Sequence, residues 1–252
     1  MAGKYGIVTF MFCALTWLGA NAQERVVTVG LQLKPIIPSS ILGTATTDLT
    51  FNDIDYSVDQ KVGFAGGMVI RWGLTKNFSL ETGINYVNRN YRAEIVDNIT
   101  NETKNTDFTI VGYEVPVLGL VYIRLSREIF MNAAFGLSLD MYPSDVATGT
   151  LADFTQESIR TSWIQPSLLA NVGWEYRTDK SGYFYVGGSF HRPFRRSYDT
   201  VITQTRPTEI VDAVLELSGQ YLTIDFRYFF HEDPQKKKAR KKRVKYDNPN
   251  DW

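Results

Sequence analysis

Few side chains in this sequence have the proton affinity or lone pairs for chemistry, and their spacing decides whether they act together. The two histidines, His191 and His231, stand far apart, and no neighbouring spacing of His, Asp or Glu reproduces a zinc triad. His231-Glu232-Asp233 reads as three solvated groups at the exit of a strand. The carboxylates Glu81, Glu114, Glu175 and Asp225, set against Arg71, Arg124 and Arg227, would suit general acid–base work if they converged. Any buried set of charges must be paired in the same way, so pairing alone accounts for them. Serines are plentiful, but no Gly-x-Ser-x-Gly elbow occurs. The glycine pairs Gly66-Gly67 and Gly187-Gly188 lack a following helix, which makes them packing or bending points in strands and not phosphate cradles. No catalytic residue, metal ligand or cofactor is therefore assigned.

The elements that would position these residues begin with the N-terminus. Lys4 precedes an apolar run over residues 7–18, and Ala20-Asn21-Ala22 has the small-x-small form of a signal-peptidase site, so residues 1–22 read as a signal peptide. The single cysteine, Cys13, lies inside that run and not at the junction, which argues against lipidation. Its removal leaves a mature chain with no disulfide, thiolate metal site or cysteine nucleophile. No later segment carries the uninterrupted apolar run of a transmembrane helix, so any membrane crossing falls to strands.

The strand signal is clear. Phe78, Leu80, Thr82, Ile84 and Tyr86 alternate with Ser79, Glu81, Gly83 and Asn85; the same period of two recurs over 129–141 and 221–230. Weaker versions occupy 26–34, 62–74, 108–125, 163–176 and 183–192, which brings the expected count to about eight. Short links at 75–77, 126–128 and 177–182 alternate with long ones at 36–61, 93–107, 143–162 and 193–214, the ordering of an outer-membrane barrel with short periplasmic turns and long extracellular loops. The charged strand residues Lys34, Arg71, Glu81, Glu114, Arg124, Asp140, Glu175, Asp225 and Arg227 fall on the faces opposite the apolar series. An Arg or Lys on lipid at the bilayer midplane costs about 2–4 kcal/mol, so these faces must form the lumen. An eight-strand barrel has room inside only for its own side chains, and the expectation is a plugged lumen. The fold class is all-β: an eight-stranded antiparallel transmembrane β-barrel over 23–231, followed by a basic periplasmic tail over 232–252.

The chain balances 27 basic against 27 acidic residues, yet Lys236, Lys237, Lys238, Arg240, Lys241, Lys242 and Arg243 form one dense cationic run after Pro234. Such a like-charge block reads first as a solvated extension; the sharper reading is that, with Tyr246 and Trp252 as apolar anchors, it captures an acidic partner domain, inner-leaflet headgroups or cell-wall polymer. Nucleic acid is not an expected partner in the periplasm. Residues 62–74, Phe78-Ser79-Leu80-Glu81-Thr82-Gly83, Tyr113-Glu114-Val115-Pro116, Tyr183-Phe184-Tyr185-Val186-Gly187-Gly188 and Tyr228-Phe229-Phe230 together resemble the Bacteroidota-type outer-membrane β-barrel proteins labelled PorT-like. The resemblance implies a barrel without enzymatic activity, some relatives being parts of secretion or assembly machines. The chain departs from the pattern by continuing past Phe230, where such barrels usually end. The expected partners are outer-membrane lipid and other envelope proteins of a secretion or assembly complex. A stand-alone small transporter or ligand-binding barrel is the alternative, and a lipid-modifying enzyme using His191 or Ser189 comes third.

Overall fold

The computed structural model describes residues 27–39, 46–75, 77–151, 154–178, 181–205 and 210–230. The expected signal peptide, His231 and the basic tail lie outside the described residues. Every described element is a strand: β1 Val27–Ile37, β2 Thr46–Phe51, β3 Ile54–Gln60, β4 Gly63–Gly73, β5 Phe78–Asp97, β6 Glu102–Arg124, β7 Ile129–Met141, β8 Val146–Leu151, β9 Phe154–Arg160, β10 Ile164–Thr178, β11 Gly182–Pro193, β12 Tyr198–Thr205, β13 Ile210–Leu217 and β14 Tyr221–Phe229.

Eight of them close a ring of antiparallel neighbours in the order β1, β4, β5, β6, β7, β10, β11, β14 and back to β1. Closure is what removes the free edges that a sheet in lipid could not satisfy. Across the last seam Gly30 to Leu33 pair with Phe229 to Phe226, and Phe230 donates its N–H to the Val29 carbonyl. The 11 residues of β1 and of β4 match the roughly 9–11 that a tilted strand needs to cross a bilayer. Outside, the ring presents Leu31, Leu33, Met68, Ile84, Phe135 and Leu137 at about half exposure. Inside, it buries charge, the inverse of a water-soluble barrel.

One end of the ring is made of tight turns that share a device: Phe78 N–H donates to the Thr75 hydroxyl, Ile129 N–H to the Ser126 hydroxyl and Ser181 N–H to the Thr178 hydroxyl. A Ser or Thr side chain that accepts a nearby backbone N–H is what makes so short a reversal self-sufficient. Both ends of the ring chain, at Val27 and Phe229, lie at this same end.

At the other end the four connections expected as long loops are hairpins. β2 and β3 add to the upper part of β5, Ile54 pairing with Asp97 and Gln60 with Tyr91. β5 and β6 run on together to a turn beyond Asp97 paired with Glu102. β8, β9, β12 and β13 form a second, four-stranded sheet. The tips are built for tight reversal: Asn52 and Asp53 both take positive φ (52° and 56°), the left-handed pair that matches strand twist in a two-residue hairpin. Between the two sheets lies an apolar core that includes Ile54, Tyr56, Tyr91, Ile95, Phe108, Tyr142, Phe154, Tyr198, Ile202 and Leu215. The barrel thus carries a folded β-structured head. In β3 the outward positions are polar, Asp55, Ser57 and Asp59 alternating with buried Ile54, Tyr56 and Val58, while β2 and β13 also turn Leu49, Phe51, Ile210 and Val214 outward.

Candidate functional site: the charged lumen

The inward positions of the ring strands bring eight of the nine expected lumen charges together. Arg124 is the exception: it sits at the last residue of β6, exposed, donating to the Ser126 carbonyl at 2.9 Å, because the strand ends there and the side chain turns to the rim. Two residues that the alternation alone did not mark as part of the constellation join it, Arg89 and His191, both almost fully buried.

The charges form two layers. Nearer the short turns, Arg71 on β4 stands directly across from Glu81 on β5. Its Nε and Nη2 donate to Glu81 Oε2 at 3.1 and 3.0 Å, while Nη1 reaches across the lumen to Glu175 Oε2 at 2.5 Å. Arg227 donates to Glu81 Oε1 at 2.6 Å and to Asp225 Oδ2 at 2.7 Å. Asp225 also accepts from Asn171, Ser189 and Thr223, and Arg177 closes on Glu175 Oε1 from the rim. Each carboxylate here meets at least one arginine, and Asp225 meets hydroxyls as well, which is the condition for burying charge without a large penalty. The ring of Phe229 lies 3.9 Å beneath the Arg71 guanidinium, and Tyr185 donates to Asn171 at 2.7 Å. Room for the Tyr185 ring comes from Gly173 and Gly187, cross-strand partners, since a Cβ added at either would strike its hydroxyl. Of the sequence pair Gly187-Gly188, it is Gly187 that serves packing in this way.

Nearer the head, Glu114 on β6 faces Asp140 on β7. Asn85 and Tyr221 donate to the two Glu114 oxygens, each at 2.8 Å, and Ser138 and Ser167 donate to Asp140. His191 arrives from β11 with Nε2 at 3.0 Å from Asp140 Oδ2 and 3.5 Å from Glu114 Oε2, its ring stacked on Tyr221 at 4.4 Å. Sequence spacing could not reveal this convergence, because the three residues come from three strands and meet only when the ring closes. Above them Arg89 donates to the Gly219 carbonyl and lies 5.1 Å over the Tyr142 ring, where the lumen gives way to the apolar core of the head. The cavity bounded by Arg89, Glu114, Asp140, His191 and Tyr221 measures about 10 Å³, barely the space of one water. At this level the side chains leave little free space in the lumen.

Apolar outside, charged inside, closed by eight strands and bounded by aromatic side chains such as Trp174, Phe184 and Tyr228, the molecule is a β-barrel of the outer membrane. The chain matches the outer membrane protein beta-barrel domain over residues 32–199 and belongs to that family. Among solved structures it is similar in fold to the outer membrane protein OprG from Pseudomonas aeruginosa, with 11% identity and a TM-score of 0.51, covering 82% of this chain and 96% of that one. It is also matched to the outer membrane protease OmpT from Escherichia coli at 9% identity and a TM-score of 0.34, covering 83% of this chain and 97% of that one. No curated protein matches it.

Proposed function

We propose that this protein is a non-enzymatic, non-conducting outer-membrane barrel that serves as a subunit of an envelope secretion or assembly complex. The observation that carries the reading is the contrast between a lumen closed by paired side chains and a folded head built from all four long connections. A conducting channel needs continuous water along its axis, and the paired side chains of Arg71, Glu81, Glu175, Arg227 and Asp225 reach across that axis. A head with its own apolar core fixes an outward surface that flexible loops would not, and a fixed surface suits recognition. In this reading the short turns and both chain ends face the periplasm, as in barrels of this kind, and the segment Lys236 to Arg243, with Tyr246 and Trp252, contacts an acidic periplasmic partner. The PorT-like resemblance supports the same role.

The test is twofold. In planar bilayers the purified barrel is expected to show no steady conductance. Gentle solubilisation from outer membranes is expected to co-purify a partner that a chain ending after Glu232 loses. Conductance together with solitary behaviour of both forms would overturn the proposal. A second reading, a small-molecule transporter, draws on a groove of about 550 Å³ in the wall, lined among others by Ile37, Pro38, Asn171, Ser189, Phe190 and Leu222. That reading predicts a ligand retained through purification and lost when Ser189→Leu fills the groove.

A further inference from the structure

Cross-strand neighbours in the lower layer are opposite in sign, Arg71 facing Glu81, whereas Glu114 and Asp140 place two carboxylates directly across from one another. Like charges in that position repel, and burial strengthens the repulsion. Both are 3–4% exposed. The imidazole of His191 points its Nε2 between them, and a neutral ring with its lone pair on Nε2 adds a third electron-rich atom to the same spot. Acceptors of this kind converge usefully only on a positive charge.

Three independent features say what that charge is. Glu114, Asp140 and His191 each offer one ligand atom, all within 4.8 Å of one another, and the His191 Nε2 distances of 3.0 and 3.5 Å bracket the roughly 3.4 Å edge of a zinc tetrahedron with bonds near 2.1 Å. The two carboxylates are held from behind, Asn85 and Tyr221 orienting Glu114 and Ser138 and Ser167 orienting Asp140, while His191 is held by stacking on the Tyr221 ring and its Nδ1 has no hydrogen-bond partner among the described residues. Such support is what metal ligands need to keep their geometry. The cavity of about 10 Å³ beside them gives a fourth corner the size of one water. Arg89, which lines that cavity at 2% exposure, has a buried Nε with no hydrogen-bond partner among the described residues. It would donate to a metal-bound water or hydroxide, and its charge would balance the latter.

We propose that Glu114, Asp140 and His191 bind one divalent transition-metal ion of the zinc type, with water in the fourth position. One nitrogen and two carboxylate oxygens form a donor set that suits zinc and its neighbours and not the all-oxygen shells of calcium or magnesium. The ion would join β6, β7 and β11 at the level where the polar lumen meets the head, tying the barrel wall together from three sides. No reaction is required of it. The cluster's own alternative is an imidazolium shared between the two carboxylates, which needs no metal.

The experiment uses untagged full-length protein, purified in detergent with chelator and shown to be folded by its faster migration in unheated SDS gels. After loading with Zn²⁺ and removal of excess, elemental analysis is expected to find one zinc per chain in the native protein and in His231→Ala. Affinity should fall by about a hundred-fold or more in His191→Ala and Asp140→Asn. Folded native protein that retains no stoichiometric zinc overturns the proposal in favour of the imidazolium, and so does equal retention by the two folded variants. Should the variants not fold, Co²⁺ uptake by the native chain decides: intense visible d–d bands of four-coordinate cobalt support the site, and their absence at saturating cobalt overturns it.

Discussion

The lumen and the head are built on the same alternation and reverse its polarity. β13 buries Val211, Ala213, Leu215 and Leu217 and turns Asp212 and Glu216 outward; β14, which follows it, buries Thr223, Asp225 and Arg227 and turns Leu222, Ile224 and Phe226 outward. β5 makes the change within one strand. Its inward positions are odd-numbered throughout, Glu81, Asn85 and Arg89 first, then Tyr91, Ala93 and Ile95. The register never slips; what changes is the solvent beyond the wall. Where lipid is outside, the apolar series must face out and the polar series pairs within; where water is outside, the hydrophobic effect drives the apolar series in. In β5 the switch falls between Arg89 and Tyr91.

Breaking the polar half should cost most. Arg227→Met leaves Glu81 and Asp225 short of a buried cation and is expected to lower stability by about 3–5 kcal/mol, read by urea unfolding in micelles with tryptophan fluorescence. In the apolar half, Ile202→Ala opens a cavity in a fully buried site of the head, with an expected loss of about 2–5 kcal/mol. Because Ile202 belongs to the apolar core of the head, limited proteolysis should show cutting in the head while the barrel keeps its heat-modifiable migration; loss of both together would mean that the two halves unfold as one.

Gly187→Ala sets a methyl group against the Tyr185 hydroxyl and the Val172 carbonyl. Overpacking of that kind is expected to cost about 1–3 kcal/mol, and Tyr185→Phe should recover part of it in the double variant. The smallest effect lies on the head's surface, where the Arg92 guanidinium holds the Asp107 carboxyl below the usual carboxylate range. A lowered native value means that the pair's contribution is complete above the unfolded value near 3.9 and disappears as pH falls through the native one. Both groups are largely exposed, so the gain is slight and about 1 M salt should erase it; Asp107→Asn should flatten the acid limb of the head's stability only at low ionic strength.

The ring was legible in the sequence wherever one face is uniformly apolar, as in 129–141, and the inward charges follow from the cost of exposing them to lipid. The upper half of β5 was not. Arg89-Asn90-Tyr91-Arg92-Ala93-Glu94 carries charge on both sides of a period-two pattern, because the inward Arg89 is followed by the outward Arg92 and Glu94, and such a stretch reads as loop. β2, β3, β8, β9, β12 and β13 read as long links because strands of six to eight residues each give only a weak pattern. Arg124 was placed inside because alternation assigns a face but not the residue at which a strand stops.

The sequence by itself determined the barrel: the number of ring strands, which face meets lipid, and an interior of paired charges are consequences of local alternation and of the cost of burying ions. Only the tertiary structure decided that the long connections fold into a head, that Arg71 reaches Glu175 across the lumen, and that Glu114, Asp140 and His191 share one point. Those contacts join residues distant along the chain, and they exist only once ring closure sets the stagger between strands; a one-dimensional pattern holds the side of each residue but not its height.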